Sequence, residues 1–346
     1  MKILVLGGSR FLGKTFVETA LNQNHEVTIF NRGTRNEELK EVEILTGDRY
    51  GDLSALKGRN WDAVLDTSGL APHTVRRATD ILKDNVGQYT YISSISVYKD
   101  WVPTNITEDY PVHTMSSEEA DKITLVGPDF SMEYYGAFKA ISEMEAENNM
   151  PSRVMNVRAG QLVGPHDYTD RLPYWIDRVA KGGKVLVPGR PDRPVQLVDN
   201  LDLANWFLKM MEQGKGGTFN STGPDYTLTM SQLLEHCKAI SGSDAEFEWV
   251  DESFIRDNNV APWTELPLWI PETYPLSEGE EPWRGTFSIN VDKAISSGLT
   301  FRPIEETLKD VYKWHLERQH TSFEWRAGIT LEREKDLLAK WSLVKS

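Results

Sequence analysis

The apolar run Lys2-Ile3-Leu4-Val5-Leu6 breaks into Gly7-Gly8-Ser9-Arg10-Phe11-Leu12-Gly13, and a stripe at helical spacing follows at once: Leu12, Phe16 and Ala20, with Val17 and Leu21 beside them. A strand that turns through glycines straight into a helix opens a βαβ unit of a parallel sheet. Gly7 permits the tight turn, Gly8 leaves backbone room for a pyrophosphate, and Gly13 lets helix and strand pack closely. The N–H groups at the helix start then face an anion. The segment reads as a nicotinamide-dinucleotide site, with Ser9, Arg10, Phe11 and Leu12 completing the loop; an ordinary glycine-rich turn is the alternative. Gly7 and Gly8 also cut the first apolar run short, so it reads as a strand and not as a signal peptide.

Short apolar runs alternate with amphipathic stretches up to about residue 160. Strands are expected near Lys2–Leu6, Glu26–Phe30, Val42–Leu45, Asp62–Asp66, Gln88–Ser93 and Arg153–Val157. The pattern predicts an α/β fold, a Rossmann-type doubly wound parallel sheet with a smaller C-terminal α+β substrate lobe. Residues 1–165 form the dinucleotide-binding part and 166–346 mainly the lobe, with about 195–222 returning to the sheet. Residues 261–285 carry Pro262, Trp263, Pro267, Trp269, Pro271, Pro275, Pro282 and Trp283, too aromatic for simple disorder, and are expected to form an ordered loop over a cleft. Thr330, with Glu332 and Glu334 in the first turn, is expected to cap a final helix.

The formal net charge of −14 argues against phosphate backbones and anionic lipid as general partners. No apolar run approaches the roughly 20 residues of a membrane span. The lone Cys237 sits in a helical pattern that suggests packing, and a reducing cytoplasm fits. The seven histidines show no ligand spacing, so no metal is expected. Basic residues nonetheless gather in one segment: Arg158, His166, Arg171, Arg178, Lys181, Lys184, Arg190 and Arg193. An anionic small-molecule substrate is expected there, with Arg158 and Arg193 as its ligands.

The second strand ends Phe30-Asn31-Arg32. A carboxylate at that place would bind a ribose 2′-OH and repel a 2′-phosphate. Asn31, with Arg32 and Arg35 behind it, favours NADP over NAD. Asp48, followed by Arg49, is placed to accept from the adenine amino group or to stabilise a turn. Thr67-Ser68-Gly69, after the fourth strand, forms a polar turn beside the cofactor. Tyr135 and Lys139 lie four residues apart on one helix face, where a cation favours the phenolate of a tyrosine whose unperturbed pKa is about 10. Ser94, at a strand tip, supplies a hydroxyl to the same crevice.

On four ordered elements the chain resembles the extended short-chain dehydrogenase/reductase superfamily, within it the NAD-dependent epimerase/dehydratase family. They are Gly7 to Gly13, Ser93-Ser94-Ile95-Ser96-Val97-Tyr98, Tyr135 to Lys139, and Arg158-Ala159-Gly160-Gln161-Leu162-Val163-Gly164-Pro165. The resemblance implies Ser94, Tyr135 and Lys139 as the catalytic set, Tyr135 and Lys139 also touching the cofactor, and a C-terminal lobe that binds substrate, often a nucleotide sugar. It also implies a homodimer through helices near 72–83 and 130–148. Arg10 and Lys99 stand where the family usually has glycine, which marks an atypical branch similar to chloroplast stem-loop-binding proteins. Three readings stay open: an oxidoreductase or epimerase, a dehydratase or reductase on a nucleotide sugar, and a non-catalytic module binding RNA or a protein.

Overall fold

The computed structural model describes residues 1–34, 42–124 and 131–345; Arg35 lies outside them. Six strands follow the apolar runs: β1 (Lys2–Leu6), β2 (Glu26–Asn31), β3 (Glu43–Thr46), β4 (Trp61–Asp66), β5 (Val86–Ser94) and β6 (Val154–Ala159). A seventh, Gly217–Ser221, lies beside β6, and the sheet runs in the order Gly217–Ser221, β6, β5, β4, β1, β2, β3, parallel throughout. The chain leaves β3 at one edge and re-enters beside β1 as β4. The carboxyl ends of β1 and β4 therefore flank the switch point where open α/β sheets bind ligands.

Both faces of this sheet are covered, as its apolar strands require. Along β1, Ile3 and Val5 face one side and Leu4 and Leu6 the other. The first side carries α1 (Phe11–Asn22), whose Phe16 and Ala20 pack with Phe207 of the helix Asn200–Glu212. The second side carries α2 (Pro72–Leu82), presenting Val75, Ala78 and Leu82, and α4 (Tyr135–Asn149), presenting Ala146. A short α3 (Ser117–Thr124) lies across this pair, with Ala120 on Phe138 and Ile141. The described helix after residue 130 starts at Tyr135, behind a single 3-10 turn at Met132–Tyr134, so Tyr135 stands at a helix entry.

A separate core forms the C-terminal part. Lys184–Pro188 pairs parallel with Glu246–Val250, and α5 (Arg171–Ala180) packs on the helix Met230–Ser241, which a Thr229–Gln232 capping box starts. Segment 261–285 has no helix or strand, yet it is anchored by its tryptophans: Trp269 is fully buried and donates to Glu252 Oε1 at 3.1 Å. Pro267 O accepts from Trp175 Nε1 at 2.7 Å. The ordered-loop expectation matches this geometry for a simple reason: indoles fix an irregular backbone that proline bars from a ladder. Among the described residues no helix is long and apolar enough to cross a membrane.

The final helix, Leu331–Val344, is capped by the Thr330 hydroxyl, which accepts from Arg333 N at 3.3 Å. Glu334 docks it, pairing with Arg178 of α5 and accepting from Leu186 N at 2.9 Å, with all groups buried. Removing one member leaves a buried charge without its partner. Glu334→Gln should lower the unfolding free energy by about 3 kcal/mol, read as a shift in denaturant midpoint; an unshifted midpoint would show that this pair does not hold the helix.

Candidate active site

Gly13 lies so near the loop that a Cβ there would be 2.9 Å from Gly8 Cα, which is why helix and strand can close on each other. Arg10 is the N-cap of α1, yet no side chain caps the helix and no carboxylate stands in its first turn. The first amides of a helix lack intrahelical acceptors, and the positive end of the dipole is left open here. These amides look into a cleft of about 700 Å³. Asn31, Arg32, Thr34 and Asp48 line one end and Ile92, Leu162 and Tyr168 the other. Tyr168 meets Phe11 of the glycine turn edge-on, ring centroids 6.0 Å apart, so the lobe touches the turn directly.

At the β2 end, Asn31 Oδ1 accepts from Gly33 N at 2.7 Å, and Arg32 is exposed. Asp48 accepts from Tyr50 N at 3.0 Å, the turn-stabilising alternative, while its exposed carboxylate still borders the cleft. Arg49 lines the cleft, but its guanidinium is buried and bidentate on Asp66, 2.7 Å to Oδ2, and reaches Ser68 Oγ at 3.1 Å, so it builds the wall. Thr67 and Ser68 both donate their hydroxyls to Leu6 O, and Gly69 is buried behind them, its carbonyl accepting from Tyr91.

Ser94 ends β5, and its Oγ accepts from Ser96 N at 3.1 Å. Ser93 points to the opposite face and donates to Glu143, so period-two alternation separates the two serines. Tyr135 is partly buried beside Ser94, whereas Tyr134 is 38% exposed. Burial pushes the Tyr135 phenol up, against the pull of the Ser94 hydroxyl and the Arg171 guanidinium. Gly136, which the spacing alone does not single out, is what permits this approach: a Cβ there would stand 2.1 Å from Ser96 O.

Lys139 corrects the expected electrostatics. Its Nζ turns inward, donates to Gly69 O at 2.9 Å and to Ile92 O, and lies 4.3 Å from the Tyr91 ring centre. Burial pushes the ammonium down to about 7. Arg171, from α5, pulls the Tyr135 phenol down, while Lys139 is held on the two carbonyls.

The basic segment does not act as one patch. Arg178 pairs with Glu334, Lys181 with Asp177, and Arg190 with Glu272 and Asp192. Arg158 departs from the substrate-ligand expectation, because it faces the interior opposite Ser93 in register and is bound by Glu143 at 2.8 Å and by Glu108 O at 2.8 Å. Arg193 is different. It is 3% exposed and stacked on Phe287, and among the described residues no acceptor hydrogen-bonds its guanidinium; burial pushes it down to about 10. Beside it lies a second cavity of about 870 Å³, bordered by Arg190, Trp249, Glu272 and the exposed Arg284.

The Lys139 shift has a definite pH signature. Its folded value of about 7 lies below the ordinary 10.5, so the unfolded chain binds the extra proton between them. Stability from this position is lowest below pH 7 and rises as pH rises toward 10. Lys139→Met should be the more stable protein at pH 6, with the difference closing by about pH 10. Denaturant unfolding at the two pH values measures it, and a constant difference would contradict a depressed Lys139.

Among known proteins, the chain is 26% identical over 263 residues to the chloroplast stem-loop binding protein of 41 kDa b of Arabidopsis thaliana, covering 70% of this chain. The chain spans 63% of that relative's length. Two solved structures share the fold at 16% identity. A UDP-N-acetylglucosamine 4-epimerase from Methanobrevibacter ruminantium M1, in complex with UDP-N-acetylmuramic acid, aligns with a TM-score of 0.65 over 92% of this chain and 98% of its own. A dTDP-glucose 4,6-dehydratase from Bacillus anthracis strain Ames, in complex with NAD, aligns with a TM-score of 0.63 over 92% and 98%. The family model for NAD dependent epimerases and dehydratases matches residues 3–221, from β1 through the seventh strand of the sheet. With the glycine turn, the serine strand and the Tyr135 helix all inside that span, the chain belongs to the NAD dependent epimerase/dehydratase family.

Proposed function

We propose that this protein is a nicotinamide-dinucleotide-dependent oxidoreductase or epimerase acting on an anionic substrate of nucleotide-sugar type. The observation that carries the reading is the meeting of Ser94 and Tyr135 beside a cleft whose floor is the uncapped start of α1. The cleft fits the cofactor: glycines clear its floor, amides face a diphosphate, and Ile92 and Leu162 line the inner end. When bound, the nicotinamide supplies the hydride acceptor or donor. Ser94 holds the substrate oxygen. Tyr135 keeps its proton at neutral pH, because burial raises its phenol, so its resting role is to donate that proton to an oxygen gaining charge. In its protonated form Lys139 has a third N–H beyond its two carbonyl partners, and we assign that donor to the cofactor ribose. Arg193 supports an anionic substrate, since its buried guanidinium has Glu272 and Glu252 nearby but no hydrogen-bond acceptor among the described residues, which leaves its donors for an oxyanion.

The end of β2 supports NADP. Arg32 is exposed and, among the described residues, pairs with no carboxylate. An exposed ionic contact of this kind is worth about 1 kcal/mol. NADPH should therefore bind roughly fivefold more tightly than NADH, and Arg32→Ala should erase the difference, by fluorescence titration. Equal affinities in the wild type would return the site to NAD. Tyr135→Phe should reduce turnover at least a hundredfold and leave cofactor affinity within twofold of wild type; undiminished turnover on a panel of nucleotide sugars would remove Tyr135 from the chemistry.

The Arabidopsis relative's name favours a second reading, in which the fold binds a stem-loop nucleic acid. The net charge of −14 opposes it. RNA affinity that falls steeply with salt, with no turnover of any nucleotide sugar, would favour it over the enzyme.

A further inference from the structure

Arg171, the first residue of α5, places its guanidinium 4.6 Å from the centre of the Trp263 ring. Trp263 leans on Phe287 with ring centroids 6.3 Å apart and planes 32° from parallel, and Phe287 carries Arg193 at 5.1 Å. Two arginines are thus joined through two packed rings, one on the Tyr135 side and one beside the second cavity. Trp263 holds φ at +64°, a left-handed conformation that bulky L-residues rarely adopt, so its surroundings impose the position.

The site is also tied to the sheet. Ala159 pairs in register with Ser94, and two residues on, Gln161 Oε1 accepts from Arg171 Nη1 at 3.4 Å. That long contact to a neutral amide is the guanidinium's hydrogen bond among the described residues. Arg178, Arg302 and Arg318, also in the C-terminal half, each pair with a carboxylate. The groups facing Arg171 are Asp167 and the phenols of Tyr168 and Tyr135. Asp167 Oδ1 is taken by the N–H and hydroxyl of Thr169, and its buried Oδ2 has no partner among the described residues. Burial holds that carboxyl above its usual range, and it makes no ion pair with Arg171. A guanidinium laid on an indole keeps its edge N–H groups free, in the fork that matches a carboxylate.

We propose that Arg171 sets the substrate class by receiving a carboxylate on the sugar ring, next to the carbon that reacts at Tyr135, while Arg193 takes the phosphate end. This rests on the nucleotide-sugar reading and adds the ring substituent to it: a uronate rather than a hydroxymethyl sugar.

The test is calorimetric titration of the full chain with UDP, UDP-glucose and UDP-glucuronate, the two sugars differing by that carboxylate. The wild type should bind UDP-glucuronate at least tenfold more tightly than UDP-glucose. Arg171→Met should bring the ratio near one and Arg171→Lys should keep part of it; Trp263→Phe, which leaves the cation but weakens its platform, should narrow it. Should Arg171→Met fail to fold, the lysine and phenylalanine variants carry the comparison. Equal affinities in the wild type, or a ratio that none of the variants changes, would overturn the carboxylate assignment while UDP binding leaves the nucleotide-sugar reading standing. No measurable binding of UDP would overturn that reading, and this proposal with it.

Discussion

Asp66 ends β4 with no exposed surface, and a carboxylate there is tolerable only because Arg49 grips both oxygens and Tyr89 donates a further bond. The pair ties the loop after β3 to the end of β4 and to the middle of β5. The ligand-binding edge of the sheet hangs from it: Ser68 N donates to Asp66, Ser68 Oγ accepts from Arg49, and Gly69 presents the carbonyl that holds Lys139. One buried ionic contact thus fixes the wall of the cleft and, through that carbonyl, the lysine at its far end.

The same chemistry divides the arginines into those matched to buried carboxylates and those that are not. In a chain of formal charge −14, Arg49, Arg158 and Arg178 are matched to buried carboxylates. Arg10, Arg32 and Arg284 form no ion pair among the described residues and border the two cavities, and Arg171 and Arg193, also without an ion pair, lie on the aromatic rings of Trp263 and Phe287. A cleft with low-dielectric walls and cations of this kind draws anions despite the sign of the whole molecule. Net charge spoke against extended polyanions; local pairing speaks for small ones.

The sheet was legible because its signals are local. Strand alternation, the glycine turn and the Leu12–Phe16–Ala20 stripe each depend on neighbours within a few residues, and β1 to β6 begin and end within two residues of the expected limits. Tyr135 was separable from Tyr134 by spacing for the same reason. The arginines were not legible. Whether Arg49 or Arg158 faces a ligand depends on Asp66 and Glu143, which only the folded sheet brings within reach. Lys139 sits on the expected helix face, but its length lets it cross to the backbone of β5. Trp263 marked an ordered loop from composition, and its meeting with Arg171 depends on how that loop docks.

Gly136 bears on how the proposed Ser94–Tyr135 pair is held. Because the helix backbone rests against the Ser96 carbonyl with no side chain between them, the serine tip and the phenol share one spacer, the width of a hydrogen atom. The two hydroxyls are set in place when the chain folds, before any ligand arrives, and the helix cannot slide along its axis without driving backbone into backbone. An incoming molecule meets a finished template, and the alignment it would otherwise have to impose on two mobile groups is already complete.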